Sequence, residues 1–226
     1  MTAQTPASAE RDSRPALCVV AAVILAAGLG ERLGGVAKAL IRVDGVPLVQ
    51  RQINALRGAG IADILVVTGA HHASIARALA GQGVRLVHNA DAARGQGTSV
   101  RLGLQAADPQ ADGLLMLPCD QPLLTPADLM DLMAVFQHRD GHDFVVPWVD
   151  GNRRGNPVLV ARHAVQAILS GDRYQACRDY MDAHPETVLR WPTSNDHYLV
   201  DIDQAQDLHD VAVRLGCDIR LPSPGD

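Results

Sequence analysis

Aromatic residues are scarce in this 226-residue sequence, which has two Trp, three Tyr and two Phe. It also has no run of Lys and Arg, and its formal net charge is −5. Surfaces that bind nucleic acids need clustered positive charge, and many of them add aromatic side chains that stack on bases. The composition therefore argues against a nucleic-acid partner.

Paired cysteines are also missing. The four cysteines are scattered, and no C-x-x-C pair occurs. Zinc sites and disulfide frameworks show short, regular cysteine spacings, so neither is indicated. Isolated cysteines are typical of a reducing compartment, and we expect a cytoplasmic protein.

The sequence has no hydrophobic segment that predicts a membrane span. The apolar run 16–27 follows Arg11 and Arg14 and resembles part of a signal peptide, but it is too short to cross a bilayer. It leads directly into a glycine-rich loop instead of a cleavage site. We therefore expect no membrane partner, a disordered tail over residues 1–15, one domain over 16–218, and a C-terminal tail over 219–226.

The glycine-rich loop follows a predicted buried strand over residues 17–25. Four glycines fall within residues 28–35, and Arg32 and Lys38 add positive charge. Glycine lets successive backbone N–H groups surround an anion. Three interpretations are open: a dinucleotide loop, a triphosphate loop other than the Gly-Lys-Ser/Thr type, or an ordinary turn. A dinucleotide loop opens directly into a helix, which Gly34-Gly35 disfavours.

Strands and helical segments alternate through the first half of the chain. The pattern predicts strands at 61–68, 83–88 and 113–118, with helices between them. This order is typical of a right-handed parallel arrangement, so we predict a single-domain, three-layer α/β sandwich with a mostly parallel, Rossmann-like sheet. Ligands bind such sheets at the carboxyl ends of the strands. Those ends carry the glycine loop, Thr68-Gly69, residues 89–99 and Asp120.

Asp120 follows a buried strand and lies between two prolines. One or two carboxylates with phosphate oxygens form a suitable Mg²⁺ site, although Asp also caps turns. A second predicted strand, 198–202, precedes a helix over 205–215. On that strand Asp201 and Asp203 share one face, so either can add a carboxylate, unless Asp203 only caps the helix.

A polar, glycine-rich stretch over residues 148–157 separates two further predicted strands, 144–147 and 158–161. It predicts a small hairpin. Such a hairpin can lie over a substrate or be an ordinary surface turn.

These motifs together resemble a known family. Leu25-Ala26-Ala27-Gly28-x-Gly30-x-Arg32-x-Gly34-x-x-x-Lys38 is similar to the opening motif of nucleotidyltransferases that make nucleoside-diphosphate sugars and dinucleotide cofactors. The chain most resembles their molybdenum-cofactor group, the MobA-like NTP transferases. Asn89 with residues 95–104 resembles a segment of the molybdopterin cytidylyltransferases, and residues 117–122, 154–159 and 200–208 resemble later motifs.

The resemblance implies transfer of a nucleoside monophosphate, CMP from CTP, to a phosphorylated small-molecule acceptor such as molybdopterin, with Mg²⁺ and release of pyrophosphate. The spacing from Gly34 to Lys38 and the Pro-Cys-Asp sequence look more like the guanylyltransferase branch, so GTP stays open. A sugar- or polyol-phosphate acceptor also stays open. So does a non-catalytic carrier that serves a molybdoenzyme partner.

The resemblance and the strand-end positions assign four sets of residues. Catalysis falls to Arg32, Lys38 and Asp120. Nucleotide binding falls to Leu25, Ala26, Ala27, Gly28, Gly30, Thr68, Asn89, Gly97 and Ser99. Acceptor binding falls to Arg154, Gly155, Asn156 and Pro157, and Mg²⁺ binding to Asp120, Asp201 and Asp203.

Overall fold

The computed structural model describes residues 18–171 and 176–223. The tail expected over residues 1–15 lies outside these ranges. The strands are β1 Val20–Ala26, β2 Arg42–Val43, β3 Val46–Pro47, β4 Ile64–Thr68, β5 Arg85–His88, β6 Gly113–Pro118, β7 Phe144–Val149, β8 Arg153–Arg154, β9 Val158–Ala161, β10 Val188–Thr193 and β11 Ile219–Arg220. The helices are α1 Leu48–Gly58, α2 His72–Ala78, α3 Gln96–Ala106, α4 Pro126–Gln137, α5 Arg162–Ser170, α6 Cys177–Ala183 and α7 Ala205–Leu215.

The central sheet has the order β10-β7-β9-β6-β1-β4-β5, and β8 pairs with β7. Pairing is parallel from β6 through β1 and β4 to β5, and also between β10 and β7. Strand β9 runs antiparallel between β6 and β7. The predicted mostly parallel sheet is confirmed, and its register aligns the carboxyl ends of β1, β4 and β6.

Helices cover both faces of this sheet and make the predicted three layers. Strand β1 alternates its side chains, so that Ile24 contributes to one core and Val23 to the other. The first core is closed by α1, α2 and α4, the second by α3, α5 and α6. Burial on both faces explains why β1, β4 and β6 read as almost continuous apolar runs.

Local sequence explains several helix ends. Thr125 and Asp128 form a capping box at the start of α4, and Pro126 occupies its first turn. Helix α3 begins at Gln96, and Thr98 lies in its first turn, where its hydroxyl donates to the carbonyl of Gly95 at 2.8 Å.

The predicted strand over residues 198–202 is wrong. Residues Asp196–Tyr198 form a short 3₁₀ turn, and the chain continues without strand pairing to residue 203. Tyr198 is buried, and its hydroxyl donates to the carbonyl of Asp128 at 2.7 Å, which pulls the chain toward α4. Asp201 and Asp203 therefore do not share a strand face.

A small second sheet, β11-β2-β3, packs beside α7. Strand β11 pairs with β2, so the stretch expected as a C-terminal tail begins with two residues attached to the domain. Among the described residues, no helix combines the length and the apolar character needed to cross a membrane.

Candidate active site

The glycine loop after β1 makes one wall of a cleft. Gly30 has a φ of 65°, and a Cβ there would overlap the carbonyl oxygen of Val36. Its own carbonyl accepts from the amides of Leu33 and Gly35, both at 2.9 Å. Only glycine fits this closed loop, because the backbone conformation and the close contact both exclude a side chain.

The amides at the start of the loop are free of protein partners in the described residues. Within residues 18–171 and 176–223, those of Gly28, Leu29 and Gly30 donate to no other protein group. After them comes a 3₁₀ turn, Glu31–Leu33, and no α-helix. A dinucleotide loop needs a helix at this point, whereas free successive amides suit a phosphate chain.

The cleft lies at the carboxyl ends of β1 and β6 and has a volume of about 570 Å³. That volume is in the range of small-molecule sites in proteins. Among the residues predicted for the site, its lining includes Leu25, Ala26, Ala27, Gly28, Gly30, Arg32, Lys38, Ser99, Asp120 and Asp203.

Lys38 lies between two carboxylates at the floor of the cleft. Its Nζ is 2.9 Å from Asp120 Oδ2 and also contacts Asp203 Oδ1. Burial disfavours the charged amine, but the two carboxylates outweigh burial and raise the Lys38 pKa above its ordinary value. Arg32, largely exposed, contacts the other oxygen of Asp203 at 3.1 Å. The hydrogen bond that Asp203 accepts from Lys38 lowers the pKa of the Asp203 carboxyl.

One backbone contact joins the segment 201–203 to Asp120. The amide of Ile202, between Asp201 and Asp203, donates to the carbonyl of Asp120 at 3.0 Å. Asp203 lines the cleft, whereas the predicted metal ligand Asp201 is exposed and lies outside the cleft lining. The pKa of the Asp201 carboxyl is raised, first because the protein displaces water around it, then because Asp120 and Asp203 are nearby negative charges. Asp120 and Asp203 thus share the cleft although they are distant in sequence.

The carboxylates have the chemistry that a magnesium site needs. Asp120 and Asp203 already converge on a single cation, the ammonium of Lys38. In the described part of the chain, no three His, Cys, Asp or Glu side chains are arranged to hold a metal by themselves. Mg²⁺ is commonly bound by one or two carboxylates together with substrate phosphates, so this partial set fits it.

Cys119 also lines the cleft but is chemically inert. It is buried, and burial raises the pKa of its thiol, with a further contribution from the charge of Asp120. A thiol with a raised pKa stays protonated at neutral pH and is a poor nucleophile.

Three residues predicted to bind nucleotide lie behind the cleft wall. Thr68 is fully buried, and its hydroxyl is 2.7 Å from His72 Nδ1. Asn89 is buried and donates to the hydroxyls of Thr98 and Ser99, each at 2.9 Å. Gly97 lies in the first turn of α3 and is buried. Of the three, Asn89 contacts Ser99, which lines the cleft.

The predicted acceptor residues, 154–157, lie outside the cleft lining. Arg154 pairs with Asp182 on α6 at 2.7 Å. The amide of Gly155 donates to the carbonyl of Pro147, and that of Asn156 to the carbonyl of Tyr198, both at 2.8 Å. Pro157 is buried. The loop is therefore joined by its backbone to the segment that leads to Asp201.

The sequence placed Gly69 and residues 89–99 at the strand ends but gave several of them no individual role. Ala92 and Ala93, in a short 3₁₀ turn, and Gln96, the first residue of α3, line the cleft. Gly69 packs against the glycine loop, where a Cβ would lie 2.6 Å from the carbonyl oxygen of Ala27. The sequence could have indicated that Gln52 is unusual, because it is a polar residue on the apolar face of α1.

Comparisons with known proteins show what this chain is similar to. Residues 22–188 match the profile of the MobA-like NTP transferase domain. A nicotine blue oxidoreductase from Paenarthrobacter nicotinovorans is 28% identical over 198 residues, which cover 84% of this chain and 95% of that protein. A molybdenum cofactor guanylyltransferase from Shewanella sediminis is 25% identical over 170 residues, covering 75% of this chain and 79% of that protein.

Solved structures share the fold. The crystal structure of Rv0371c from Mycobacterium tuberculosis H37Rv superposes with a TM-score of 0.72 and 21% identity, covering 86% of this chain and 98% of that one. A manganese complex of the same protein superposes with a TM-score of 0.69 and 20% identity, covering 86% and 97%.

Proposed function

Since this chain belongs to the MobA-like NTP transferase domain family and is a nucleotidyltransferase, we propose that it transfers CMP from CTP to a phosphorylated small-molecule acceptor, such as molybdopterin. The observation that carries the proposal is the meeting of three features in one cleft. These are the free amides of the glycine loop, the ammonium of Lys38, and the carboxylates of Asp120 and Asp203.

The chemistry requires little of the protein beyond positioning and charge. The second pKa of a phosphate monoester is about 6, so the acceptor is already ionised near neutrality and needs no general base. Its oxygen attacks the α-phosphorus, a new P–O bond forms, and the bond to the β-phosphate oxygen breaks to release pyrophosphate. Loop amides with Arg32 and Lys38 bind the charge that builds up on the leaving group.

Mg²⁺ fits beside Asp120, with Asp203 or Asp201 as second ligand, and when bound it would supply charge stabilisation at the phosphates. Binding of Mg²⁺ at these carboxylates would give Lys38 a different ionic partner. In the present arrangement its ammonium neutralises the two carboxylates, and a triphosphate offers it an alternative anion. We assign the base to the side of the same cleft that Ser99 lines.

The base preference rests on local resemblance. The segment around Gly97-Thr98-Ser99 favours CTP, while the guanylyltransferase relative favours GTP. A thermal-shift panel with CTP, GTP, ATP and UTP, each with and without Mg²⁺, tests this. A ligand at 100 times its Kd stabilises the native state by about 2.7 kcal/mol, which is readily measured. A Mg²⁺-dependent shift with CTP alone supports the proposal, and a shift with GTP alone overturns the base assignment.

A second candidate function, an oxidoreductase reaction, follows from the relative that carries that name and aligns over most of this chain. The 3₁₀ turn after the glycine loop disfavours dinucleotide binding, because the usual loop needs a helix there. Adding NADPH and NADP⁺ to the panel separates the two functions. A shift with either, and none with any NTP, would support oxidoreduction and contradict nucleotidyl transfer.

Turnover decides between an enzyme and a carrier. Pyrophosphate release with CTP, Mg²⁺ and a phosphorylated acceptor is expected only for the enzyme. The non-catalytic carrier would be favoured if CTP binds but no pyrophosphate is released, either with molybdopterin or with sugar- or polyol-phosphate acceptors.

A further inference from the structure

Gln121, the residue after Asp120, is 3% exposed and has no role in the reaction described above. Its side-chain Nε2 donates to two backbone carbonyls, those of Asn156 and Tyr198, both at 3.1 Å. These acceptors lie 35 and 77 residues further along the chain. One buried amide thus joins three separate segments.

Each joined segment carries part of the proposed site. Gln121 itself follows Asp120. Asn156 belongs to the loop predicted to bind the acceptor, and Tyr198 begins the segment that leads to Asp201 and Asp203. Two backbone bonds complete a ring, from the amide of Asn156 to the carbonyl of Tyr198 at 2.8 Å, and from the amide of Ile202 to the carbonyl of Asp120 at 3.0 Å.

A second buried side-chain amide, that of Gln52, bonds to the segment that leads to Asp120 and Gln121. Gln52, on α1, donates through Nε2 to the carbonyl of Pro118 at 2.7 Å. Within the described residues, the side-chain Oε1 atoms of Gln52 and Gln121 are buried and accept no hydrogen bond. Leaving an acceptor unpaired costs free energy, so these amides contribute through their donors.

We propose that Gln121 is a positioning residue, which sets the acceptor loop at a fixed place relative to the carboxylates of Asp120, Asp201 and Asp203. This inference rests on the proposed nucleotidyl transfer, because it assigns residues 154–157 to the acceptor side. The acceptor oxygen must arrive in line with the α-phosphorus, and small displacements of positioned groups reduce rates strongly. A donor that holds both loops together meets this requirement.

The side chains that could replace Gln121 define the test. Met has similar length and no donor, so Gln121→Met removes both bonds while filling the space. Glu has the same shape, but its carboxyl oxygens would face two carbonyl oxygens, so Gln121→Glu replaces attraction with repulsion. Val165→Ala, a change in the buried face of α5 far along the chain, is the control for general loss of stability.

The first measurement is hydrogen exchange, which does not depend on activity. In Gln121→Met the amides of Asn156 and Ile202 should exchange about tenfold faster or more, as expected when two hydrogen bonds are lost. The amide of Val23 in β1 should exchange at the same rate in Gln121→Met as in Val165→Ala. Unchanged exchange at Asn156 and Ile202 would overturn the proposal. If Gln121→Met does not fold, Gln121→Leu, a smaller side chain that also has no donor, serves for the same measurement.

The second measurement is steady-state kinetics. Gln121→Met should raise the KM for the acceptor and lower kcat by about tenfold, while the KM for CTP stays within about twofold, since residues 154–157 do not line the nucleotide cleft. An equal rise in the KM for the acceptor and the KM for CTP, or the same pattern in Val165→Ala, would overturn the positioning role. Faster exchange in a protein whose wild type shows no transfer would leave the hydrogen-bonded ring standing and contradict only the proposed function.

Discussion

At the scale of single residues, Lys38 holds the central place in the cleft. Its ammonium lies between the carboxylates of Asp120 and Asp203 and compensates their charge. In the proposed function, a divalent metal ion would use Asp120 together with Asp203 or Asp201. The metal and the ammonium of Lys38 would then compete for these carboxylates until a triphosphate provides another anion for Lys38.

This competition predicts an unusual effect of removing a catalytic residue. Lys38→Met should tighten binding of Mn²⁺ in the absence of nucleotide by about tenfold or more, because it removes a positive charge that lies within ion-pair distance of both carboxylates. CTP binding should weaken in the same variant. Titration calorimetry measures both. Arg32→Met is the control and should change free Mn²⁺ affinity by about twofold at most, because exposed pairs contribute little.

Asp120 is expected to be essential for the metal-dependent reaction and dispensable for folding. Asp120→Ala should lower turnover about a thousandfold, the rate equivalent of several kcal/mol of charge stabilisation by a metal. Circular dichroism should be unchanged. Asp210→Ala, an exposed carboxylate on α7, should keep full activity. Metal-dependent turnover in Asp120→Ala would show that the metal assignment is wrong.

At the scale of elements, the turn after β4 determines where the glycine loop lies. Gly69 approaches the loop so closely that a Cβ would meet the carbonyl oxygen of Ala27 at 2.6 Å and Ala92 Cβ at 3.0 Å. Both neighbours belong to the cleft wall. The close contact leaves no room for a side chain at residue 69 beside the start of the glycine loop.

Gly69→Ala should therefore weaken nucleotide binding through a backbone shift. We expect a loss of about 1–3 kcal/mol in the free energy of unfolding, as is usual for overpacking, together with a raised Kd for CTP. Ala70→Ser, at the exposed neighbouring position, should change neither. Denaturant titrations and nucleotide binding provide the two measurements. An unchanged Kd for CTP in Gly69→Ala would contradict this role for the turn.

At the scale of the whole molecule, Asp128 connects helix α4 to the distant segment that leads into the site. It accepts from Asn195 Nδ2 at 2.7 Å and lies 2.9 Å from His197 Nδ1. Burial opposes its ionisation, but the hydrogen bonds from His197, Thr125 and Asn195 outweigh burial and lower the pKa of its carboxyl below 3.8. Its ionised form is therefore the one that stabilises the fold.

The sign of this pKa shift sets the pH dependence of stability. A carboxyl with a lowered pKa stabilises the fold above its ordinary pKa, and that contribution is lost as pH falls through the folded value. Asp128→Asn should lower the free energy of unfolding at pH 7 by about 1–3 kcal/mol. The difference from wild type should shrink between about pH 5 and pH 2. A difference that stays constant across this range would contradict the assignment.

The sequence alone predicted the mostly parallel sheet and the position of the glycine loop. Both depend on neighbours along the chain: apolar runs buried on two faces predict β1, β4 and β6, and closely spaced glycines with Arg32 and Lys38 predict an anion site. Asp120 could be identified as a candidate site residue for the same reason, since it follows a buried strand. Parallel pairing then brings strand ends together by a general rule.

Tertiary structure decided what local sequence does not encode. The segment 196–203 is a turn and no strand, because Tyr198 and its neighbours bond to α4, 70 residues away. Likewise, Gln121 donates to two distant carbonyls, and Lys38 lies between carboxylates that are 82 and 165 residues further along the chain. These contacts depend on the packing of remote segments, so only the folded chain brings the site together.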